Sequence, residues 1–153
     1  MADTYTQINI HVVFAVLGRE NILKNDFRER LFSYISGIIK GIGLFPLAVN
    51  GTQDHVHVFF ELNPQMALSK TVQEIKANSS KWINDHSLVM GHFNWQKGFG
   101  GFSYSRSQRN RVIQYIMNQE EHHAKRSFKD EYLNLLKKFE IEFKDEYLFE
   151  FYE

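Results

Sequence analysis

The chain has 153 residues, of which 43% are hydrophobic and 24% are charged, and its formal net charge is zero; this is typical of one soluble domain with a buried core. It contains no cysteine, which excludes disulfide scaffolds and thiolate metal sites. No apolar run is long enough to predict a signal peptide or a membrane span, so we expect a cytoplasmic protein with no membrane partner.

The first predicted elements are a strand and a helix. The stretch "TYTQINIHVVFAV" alternates, with Ile10, Val12 and Phe14 on one face and His11 on the other. This alternation is typical of a strand with one buried face. Apolar residues at helical spacing then run over 27–42 and end at a pair of glycines, which predicts the first helix.

Two histidines stand on the third predicted element after this helix. The stretches "LFPLAV" and "HVHVFFEL" are predicted to form a hairpin joined by the turn "NGTQD". Because alternate side chains of a strand point the same way, His55 and His57 share one face, whereas Val56 and Val58 face the core. Two adjacent imidazoles can hold a divalent metal, but the pair is a weak signal by itself.

The order of the elements indicates the fold. A second helix is predicted over about 67–85, a fourth strand within the glycine- and aromatic-rich segment 91–105, and a third helix over about 105–124. The order β-α-β-β-α-β followed by helices predicts a ferredoxin-like (RRM-like) α+β fold, an antiparallel sheet with helices on one face plus C-terminal helices. His11 would then share a face with the two histidines, although a hydrogen-bonded sheet histidine is the simpler interpretation.

Charge is distributed unevenly along the chain. Residues 97–129 contain seven basic and two acidic residues, whereas residues 130–153 contain eight acidic residues and three lysines. A basic segment before an acidic tail can conceal a nucleic-acid surface, and solvated helix faces of opposite sign explain the pattern equally well. If a nucleic acid binds, the candidate phosphate contacts are Lys76, Lys81, Arg106, Arg109 and Arg111.

The third predicted helix carries a tyrosine and a glutamine one turn apart. In "QRNRVIQYIMNQEEHH", Tyr115 and Gln119 lie together beside the apolar arc of the helix. They could present a hydroxyl and a carbonyl oxygen to one point. From the pattern alone, Tyr115 is better explained as an aromatic residue at the edge of the core and Gln119 as a surface residue.

The end of the chain is predicted to be a separate segment. Residues 1–126 are assigned to the main domain, and residues 127–153 to a C-terminal helix and an acidic, aromatic tail. The sequence from Ser127 to Asp130 resembles a capping box that opens a helix. The last fifteen residues alternate aromatic and acidic side chains, which predicts either an added edge strand or an arm that docks on a partner.

Five blocks of the sequence together resemble a known family, the single-tyrosine HUH transposases of the insertion-sequence 200/605 type, including the REP-associated tyrosine transposases. The blocks are "NIHVVF", "DHVHVFFELNP", "EIKANSSKWIN", "FNWQKGFGGFSYS" and "YIMNQEEHH", which occur in this order between about Tyr5 and His123. Their order and spacing are more specific than any single block. The resemblance implies a transposase that cleaves and rejoins single-stranded DNA through a covalent 5′-phosphotyrosine intermediate.

The resemblance also implies which residues form the site. Tyr115 would be the nucleophile, and His55, His57 and Gln119 would bind a divalent metal, Mg²⁺ or Mn²⁺. The implied partners are single-stranded DNA, with hairpins at the ends of the element, and a second copy of the chain. In such a homodimer we expect Tyr115 of one subunit to act in the metal site of the other. The resemblance assigns no role to residues 127–153.

Two other interpretations remain open. A catalytically idle or domesticated relative would bind hairpin DNA or RNA through the sheet. An unrelated metal-dependent hydrolase would use His122 and His123 with the strand histidines and would not need Tyr115. The presence of the histidine pair together with Tyr115 and Gln119 favours the transposase, because an idle binder has no need of all four side chains.

Overall fold

A sheet of four antiparallel strands lies at the centre of the computed structural model, which describes residues 2–152 and, at residue 20, the backbone alone. The strands are β1 (Asn9–Ala15), β2 (Phe45–Gly51), β3 (His55–Glu61) and β4 (Gly100–Tyr104). Their order in the sheet is β2–β3–β1–β4, so β1 and β3 are the two central strands. The predicted ferredoxin-like α+β fold is confirmed.

Helices connect the strands and follow the sheet. They are α1 (Asn25–Gly41), α2 (Leu68–Asp85), α3 (Arg109–Met117), α4 (Gln119–His123) and α5 (Phe128–Lys138). The prediction of one continuous helix over 105–124 is wrong, because Asn118 has φ −100° and ψ 25° and separates α3 from α4. Ser127 is confirmed as the cap of α5, since its hydroxyl accepts a hydrogen bond from the Asp130 backbone N–H at 3.1 Å. None of the helices in this described part of the chain has the length and apolarity to cross a lipid bilayer.

Side chains along β1 alternate between the two faces of the sheet, as predicted. Ile10, Val12 and Phe14 are buried on the face that α1 and α2 cover, and His11 lies on the opposite face with Val13. The main apolar core lies between the first face and the two long helices. The helices contribute Phe27, Leu31, Ile35, Ile39, Val72, Ile75 and Ile83 to it.

The second face of the sheet is covered by α3, α4 and α5. Phe59 of β3 packs with Val112 and Ile116 of α3, and Val13 of β1 shares an apolar cluster with Phe128 of α5. The division of the chain at residue 126 stays a prediction, and the two segments that it separates share this cluster.

The segment after α5 packs against other parts of the same chain. In the described residues it adds no strand to the sheet; instead Phe149 is buried against α5. The side chain of Gln96 donates to the Glu150 carbonyl and accepts from the Glu150 N–H, both at 2.8 Å. Of the two predicted alternatives, the added edge strand is wrong, because the described part of this segment packs on the sheet and α5 of the same chain. The docking of this segment on a partner stays a prediction.

A close backbone approach shapes the hairpin before β3. A Cβ atom at Gly51 would lie 2.2 Å from the carbonyl oxygen of His55 and 3.0 Å from the Cα atom of Val56. The same carbonyl accepts a hydrogen bond from the backbone N–H of Thr52 at 3.1 Å. Only a residue without a side chain fits here, so Gly51 allows the turn that places His55 at the first position of β3.

We expect the substitution Gly51→Ala to lower the free energy of unfolding by about 1–3 kcal/mol or more, because its methyl group would push the β3 backbone away. Gly37→Ala is the control: Gly37 lies within α1 with open space around its Cβ position, and this change should raise the free energy of unfolding by about 0.5–1 kcal/mol. Urea unfolding followed by tryptophan fluorescence measures both. Equal stability of the two variants would contradict the close-approach argument.

Candidate active site

The second face of the sheet carries a buried group of polar side chains. His55 and His57 project from β3 and are both 0% exposed, and they stand opposite Ala15 and Val13 in the pairing of β1 with β3. The predicted common face of the two histidines is confirmed. Their position beneath three helices makes this group the candidate active site.

A hydrogen-bonding partner holds each histidine ring at its Nδ1 atom. The Oδ1 atom of Asp54 lies 2.7 Å from Nδ1 of His55, and the Nε2 atom of His11 lies 2.7 Å from Nδ1 of His57. The hydroxyl of Thr52 donates a further hydrogen bond to Asp54 at 3.1 Å. Partners of this kind fix the orientation of an imidazole and leave its other nitrogen for a metal or a substrate. His11 thus has the structural role predicted for it, and the histidine that it orients is His57.

The Nε2 atoms of both strand histidines meet oxygen atoms from the helical layer. The Oε1 atom of Gln119 lies 3.1 Å from Nε2 of His55. The Oε1 atom of Glu131 lies 3.3 Å from Nε2 of His55 and 3.1 Å from Nε2 of His57. The structure therefore brings His55, His57 and Gln119 together. Gln119 is fully buried, so the surface position suggested by the helical pattern alone is wrong.

Glu131 lies at the centre of the group and is absent from the sequence-based prediction. Its Oε1 atom also lies 3.0 Å from Nε2 of His123. Its Oε2 atom accepts a hydrogen bond from the hydroxyl of Tyr115 and another, at 3.0 Å, from the amide nitrogen of Gln119. One carboxylate thus links a strand, two helices and the candidate nucleophile.

A sequence signal for Glu131 does exist. Phe128, Glu131, Tyr132 and Leu135 follow helical spacing and are all buried in α5, so the glutamate falls within the apolar stripe of an amphipathic helix. Glutamate is almost never fully buried unless it is paired. A glutamate within an apolar stripe therefore indicates a polar partner across the interface, here the histidine pair.

Burial and neighbouring charge set the protonation of the group. Burial alone would lower the pKa of His55, but its hydrogen bonds to Asp54 and Glu131 outweigh this effect and raise the pKa to about 9. Burial lowers the pKa of His57 and holds that of His11 well below its usual value. Burial would raise the pKa of the Glu131 carboxyl, but the surrounding histidines hold it far below its usual range. These shifts favour an ionised Glu131 hydrogen-bonded to His55.

Tyr115 joins the group from α3. Its hydroxyl donates to Glu131, and its ring centroid lies 5.9 Å from that of His57. Burial, followed by the negative charge of Glu131, raises the pKa of the hydroxyl above its ordinary value. The hydroxyl is thus protonated near neutral pH, and it must transfer its proton before or during any attack as a nucleophile.

The helix that carries Tyr115 is fastened to the sheet of its own chain. The Asn50 side chain on β2 donates to the carbonyl oxygens of Ile116 and Met117, at 3.0 and 3.2 Å. Carbonyl groups in the last turn of a helix lack partners within the helix. The Asn50 amide supplies hydrogen-bond donors to two such carbonyls at the end of α3. One chain therefore assembles the histidines and the tyrosine together, and this geometry does not require a tyrosine from a partner subunit.

Two of the predicted phosphate contacts lie on the opposite face of the sheet from this group. Lys76 and Lys81 project from α2, which packs on the opposite face of the sheet. The Lys76 ammonium donates to the carbonyl oxygens of Gln96 and Gly98, at 2.7 and 2.8 Å, and Lys81 pairs with Asp85 at 2.6 Å. Their role in DNA binding stays a prediction that these contacts do not favour.

The three predicted arginine contacts lie in or just before α3, which covers the face of the sheet that carries the site. Arg109 pairs with Glu61, and Arg106 is exposed in the turn before α3. Arg111 lines a cavity that also contains Tyr115. Their contact with DNA stays a prediction, and the position of Arg111 fits it best.

The donor atoms of the group fit a divalent metal. One ligand atom from each of His55, His57 and Glu131 lies within 4.8 Å of the others, and the contacts between the Nε2 atoms and the oxygens of Gln119 and Glu131 measure 3.1–3.3 Å. Atoms bound at about 2.1 Å to one metal at right angles lie about 3.0 Å apart. Imidazole, amide and carboxylate donors together suit ions such as Mn²⁺ and Zn²⁺. This buried group could therefore hold a metal.

Comparison with known proteins decides the family. Residues 4–119, more than half of the chain, match the family model described as "Transposase IS200 like". The chain belongs to the IS200-like transposase family. His55, His57, Tyr115 and Gln119 lie inside the matched segment of this IS200-like transposase, whereas Glu131 lies outside it.

Two solved structures share the fold of this IS200-like transposase. A protein from Deinococcus radiodurans R1 described as a transposase is 21% identical with a TM-score of 0.60, over 78% of this chain and 96% of that chain. A REP-associated tyrosine transposase bound to a REP hairpin is 15% identical with a TM-score of 0.59, over 80% of this chain and 73% of that chain. At these identities the likeness shows the fold. No curated protein matches the chain significantly.

We expect Asn50→Ala to loosen α3 while the rest of the protein stays folded, because the variant removes two hydrogen bonds to the end of that helix. At about 1 kcal/mol for each hydrogen bond, amide hydrogen exchange in residues 112–119 should accelerate roughly fivefold or more. Asn110→Ala, a change at an exposed position of the same helix, should leave these rates unchanged. Unaltered exchange in Asn50→Ala would show that packing alone holds α3.

Proposed function

We propose that this IS200-like transposase cleaves and rejoins single-stranded DNA through a covalent bond between Tyr115 and a 5′ phosphate. One observation carries the proposal: the Tyr115 hydroxyl and the Nε2 atoms of His55 and His57 all contact the carboxylate of Glu131. A nucleophile and a metal-binding group that contact the same carboxylate are close enough to act on one phosphodiester.

The chain divides the chemistry among its residues. A divalent metal, Mg²⁺ or Mn²⁺, would be held by His55, His57 and Gln119 with Glu131, and when bound it would neutralise charge on the phosphate oxygens. Asp54, through its hydrogen bond to His55, sets the direction of that ring. His11 orients His57 in the same way, and His123 contacts the side-chain oxygen of Gln119.

The proposed cleavage exchanges one phosphoester for another. The Tyr115 oxygen forms a bond to phosphorus, the bond from phosphorus to the 3′ oxygen breaks, and the 3′ oxygen leaves as a hydroxyl after it takes up a proton. Glu131 accepts the hydrogen bond of the Tyr115 hydroxyl and so orients the attacking oxygen. Because the histidines hold the pKa of Glu131 low, the tyrosine proton passes to solvent water during the attack and not to this carboxylate. Because tyrosine has a pKa of about 10, its oxygen leaves more readily than an alkoxide, and a later 3′ hydroxyl can reverse the reaction without ATP.

The proposed substrate is single-stranded DNA that carries a hairpin. The fold neighbour among REP-associated tyrosine transposases was solved with a REP hairpin, and the family resemblance implies the same class of element ends here. We also propose a homodimer. In it, the contacts of α3 with β2 favour a tyrosine that acts within its own subunit.

We expect Tyr115→Phe to abolish a covalent protein–DNA adduct, because the variant removes the attacking oxygen. The substrate is end-labelled single-stranded DNA from the flanks of the encoding locus, incubated with Mg²⁺ or Mn²⁺ and separated on denaturing gels. Tyr147→Phe alters a tyrosine that is 79% exposed and should form the adduct normally. An adduct formed by Tyr115→Phe would remove the nucleophile assignment.

A mixture of Tyr115→Phe and His57→Ala subunits tests whether Tyr115 acts within its own subunit. Action within a subunit predicts no activity in the mixture, and recovered activity would establish action across a dimer.

We expect Glu131→Gln to weaken Mn²⁺ binding about tenfold or more, because a neutral amide replaces the only anionic donor of the His55–His57–Glu131 group. Titration followed by electron paramagnetic resonance of free Mn²⁺ measures this without DNA or turnover. Glu121→Gln removes the same charge from an exposed position and should leave the affinity unchanged. Equal or tighter binding in Glu131→Gln would show that the carboxylate merely fills the space of the metal.

A further inference from the structure

A cavity of about 280 Å³ lies between α3 and α5, directly beside the candidate nucleophile. Tyr115 and Glu131 both line it, and these two side chains are joined by the hydrogen bond of the tyrosine hydroxyl. Anything bound in the cavity would therefore adjoin the oxygen that attacks phosphorus. Its far wall is formed by α5, which lies beyond the segment that matches the family.

Three cations surround this cavity without an acidic partner. Arg111 on α3, Arg126 before α5 and Lys138 at the end of α5 are all exposed and line it. Among the side chains that the structure describes, none of the three forms an ion pair. The one acidic residue of the lining, Glu131, directs its Oε1 atom to the histidines. The Lys138 ammonium lies 5.5 Å from the centroid of the Tyr104 ring, which does not neutralise its charge. Positive charge that no acidic residue neutralises favours an anionic ligand in the cavity.

The walls of the cavity suit a planar, partly polar group. Val112 and Leu135 are buried apolar residues, and the half-buried ring of Tyr104 adds an aromatic surface. Two side-chain amides, of Gln108 and Asn134, also line the cavity. Apolar and aromatic surfaces take the faces of an unpaired base, and amides can bond to its edge. The cavity of about 280 Å³ has room for one nucleotide.

We propose that this cavity binds the unpaired nucleotide adjoining the phosphodiester that Tyr115 attacks. The base lies against Val112, Leu135 and Tyr104, with Asn134 at its edge. Its phosphates contact Arg111, Arg126 and Lys138. The inference rests on the proposed function and deepens it, because it makes α5 the element that selects the nucleotide at the cleavage point.

The test uses the four deoxynucleoside 3′,5′-bisphosphates as probes, in EDTA so that binding is separated from chemistry. Backbone amide shifts of the ¹⁵N-labelled full chain report where each probe binds and how tightly. Lys138→Ala and Arg126→Ala should each weaken binding about three- to tenfold, because each loses a phosphate contact. Their neighbours Lys137 and Lys125 are exposed lysines that do not line the cavity, so Lys137→Ala and Lys125→Ala should change affinity less than about twofold.

Base preference and the salt dependence of binding provide two further tests of the subsite. Asn134→Ala should alter the preference among the four bases, because it removes a hydrogen-bonding group at the base edge. With a single-stranded oligonucleotide, Lys138→Ala should also reduce the dependence of log Kd on log salt by about 0.7. Equal losses in Lys138→Ala and Lys137→Ala, or shifts confined to residues remote from α3 and α5, would overturn the subsite.

The subsite and the proposed function can fail separately. Bisphosphate binding in the cavity without any covalent adduct would leave the subsite standing and remove the tyrosine mechanism. Normal adduct formation in Lys138→Ala and Arg126→Ala, with no bisphosphate binding to the wild-type chain, would leave the mechanism standing and remove the subsite.

Discussion

The carboxylate of Glu131, buried among three histidines, is the interaction on which the rest of the site depends. Removing a carboxylate from water costs on the order of several kcal/mol, and only good charge partners and hydrogen bonds offset that cost. Here the Oε1 atom meets three imidazoles, and the Oε2 atom receives hydrogen bonds from Tyr115 and Gln119. The carboxylate therefore fixes α5 on β3 and sets the positions of the tyrosine and the glutamine at the same time.

The sheet separates stability from chemistry. Its first face forms the main apolar core with α1 and α2, which contains none of the polar side chains of the candidate site. Its second face combines small apolar clusters with the polar group. Phe59 and Val13 flank the histidines there and pack on α3 and α5. The helices that carry Tyr115 and Glu131 are thus held by apolar contacts beside the site, while hydrogen bonds set the final geometry within it.

Local periodicity predicts the sheet and the histidine face well, because alternation in β1 and β3 directly records which side chains are buried. Glu131 was harder to predict, since its partner His57 is 74 residues away in the chain and no local pattern encodes that contact. The break at Asn118 likewise depends on one residue leaving the helical conformation within an otherwise continuous pattern. The position of Lys76 and Lys81 on the far face follows from the fold, because charge counts along a sequence carry no information about which side of a sheet a helix covers.

The same separation of 74 residues has a consequence for how the protein matures. Synthesis proceeds from the N terminus, and domains begin to fold as they emerge from the ribosome. The sheet and its two long helices can form while α5 is still unmade, and the histidines of β3 would then face solvent without their carboxylate. The contact that closes this long loop can form only once α5 has been made. A partly synthesised chain that ends before α5 therefore lacks Glu131, and the complete group of side chains can assemble only after the chain has been made through α5.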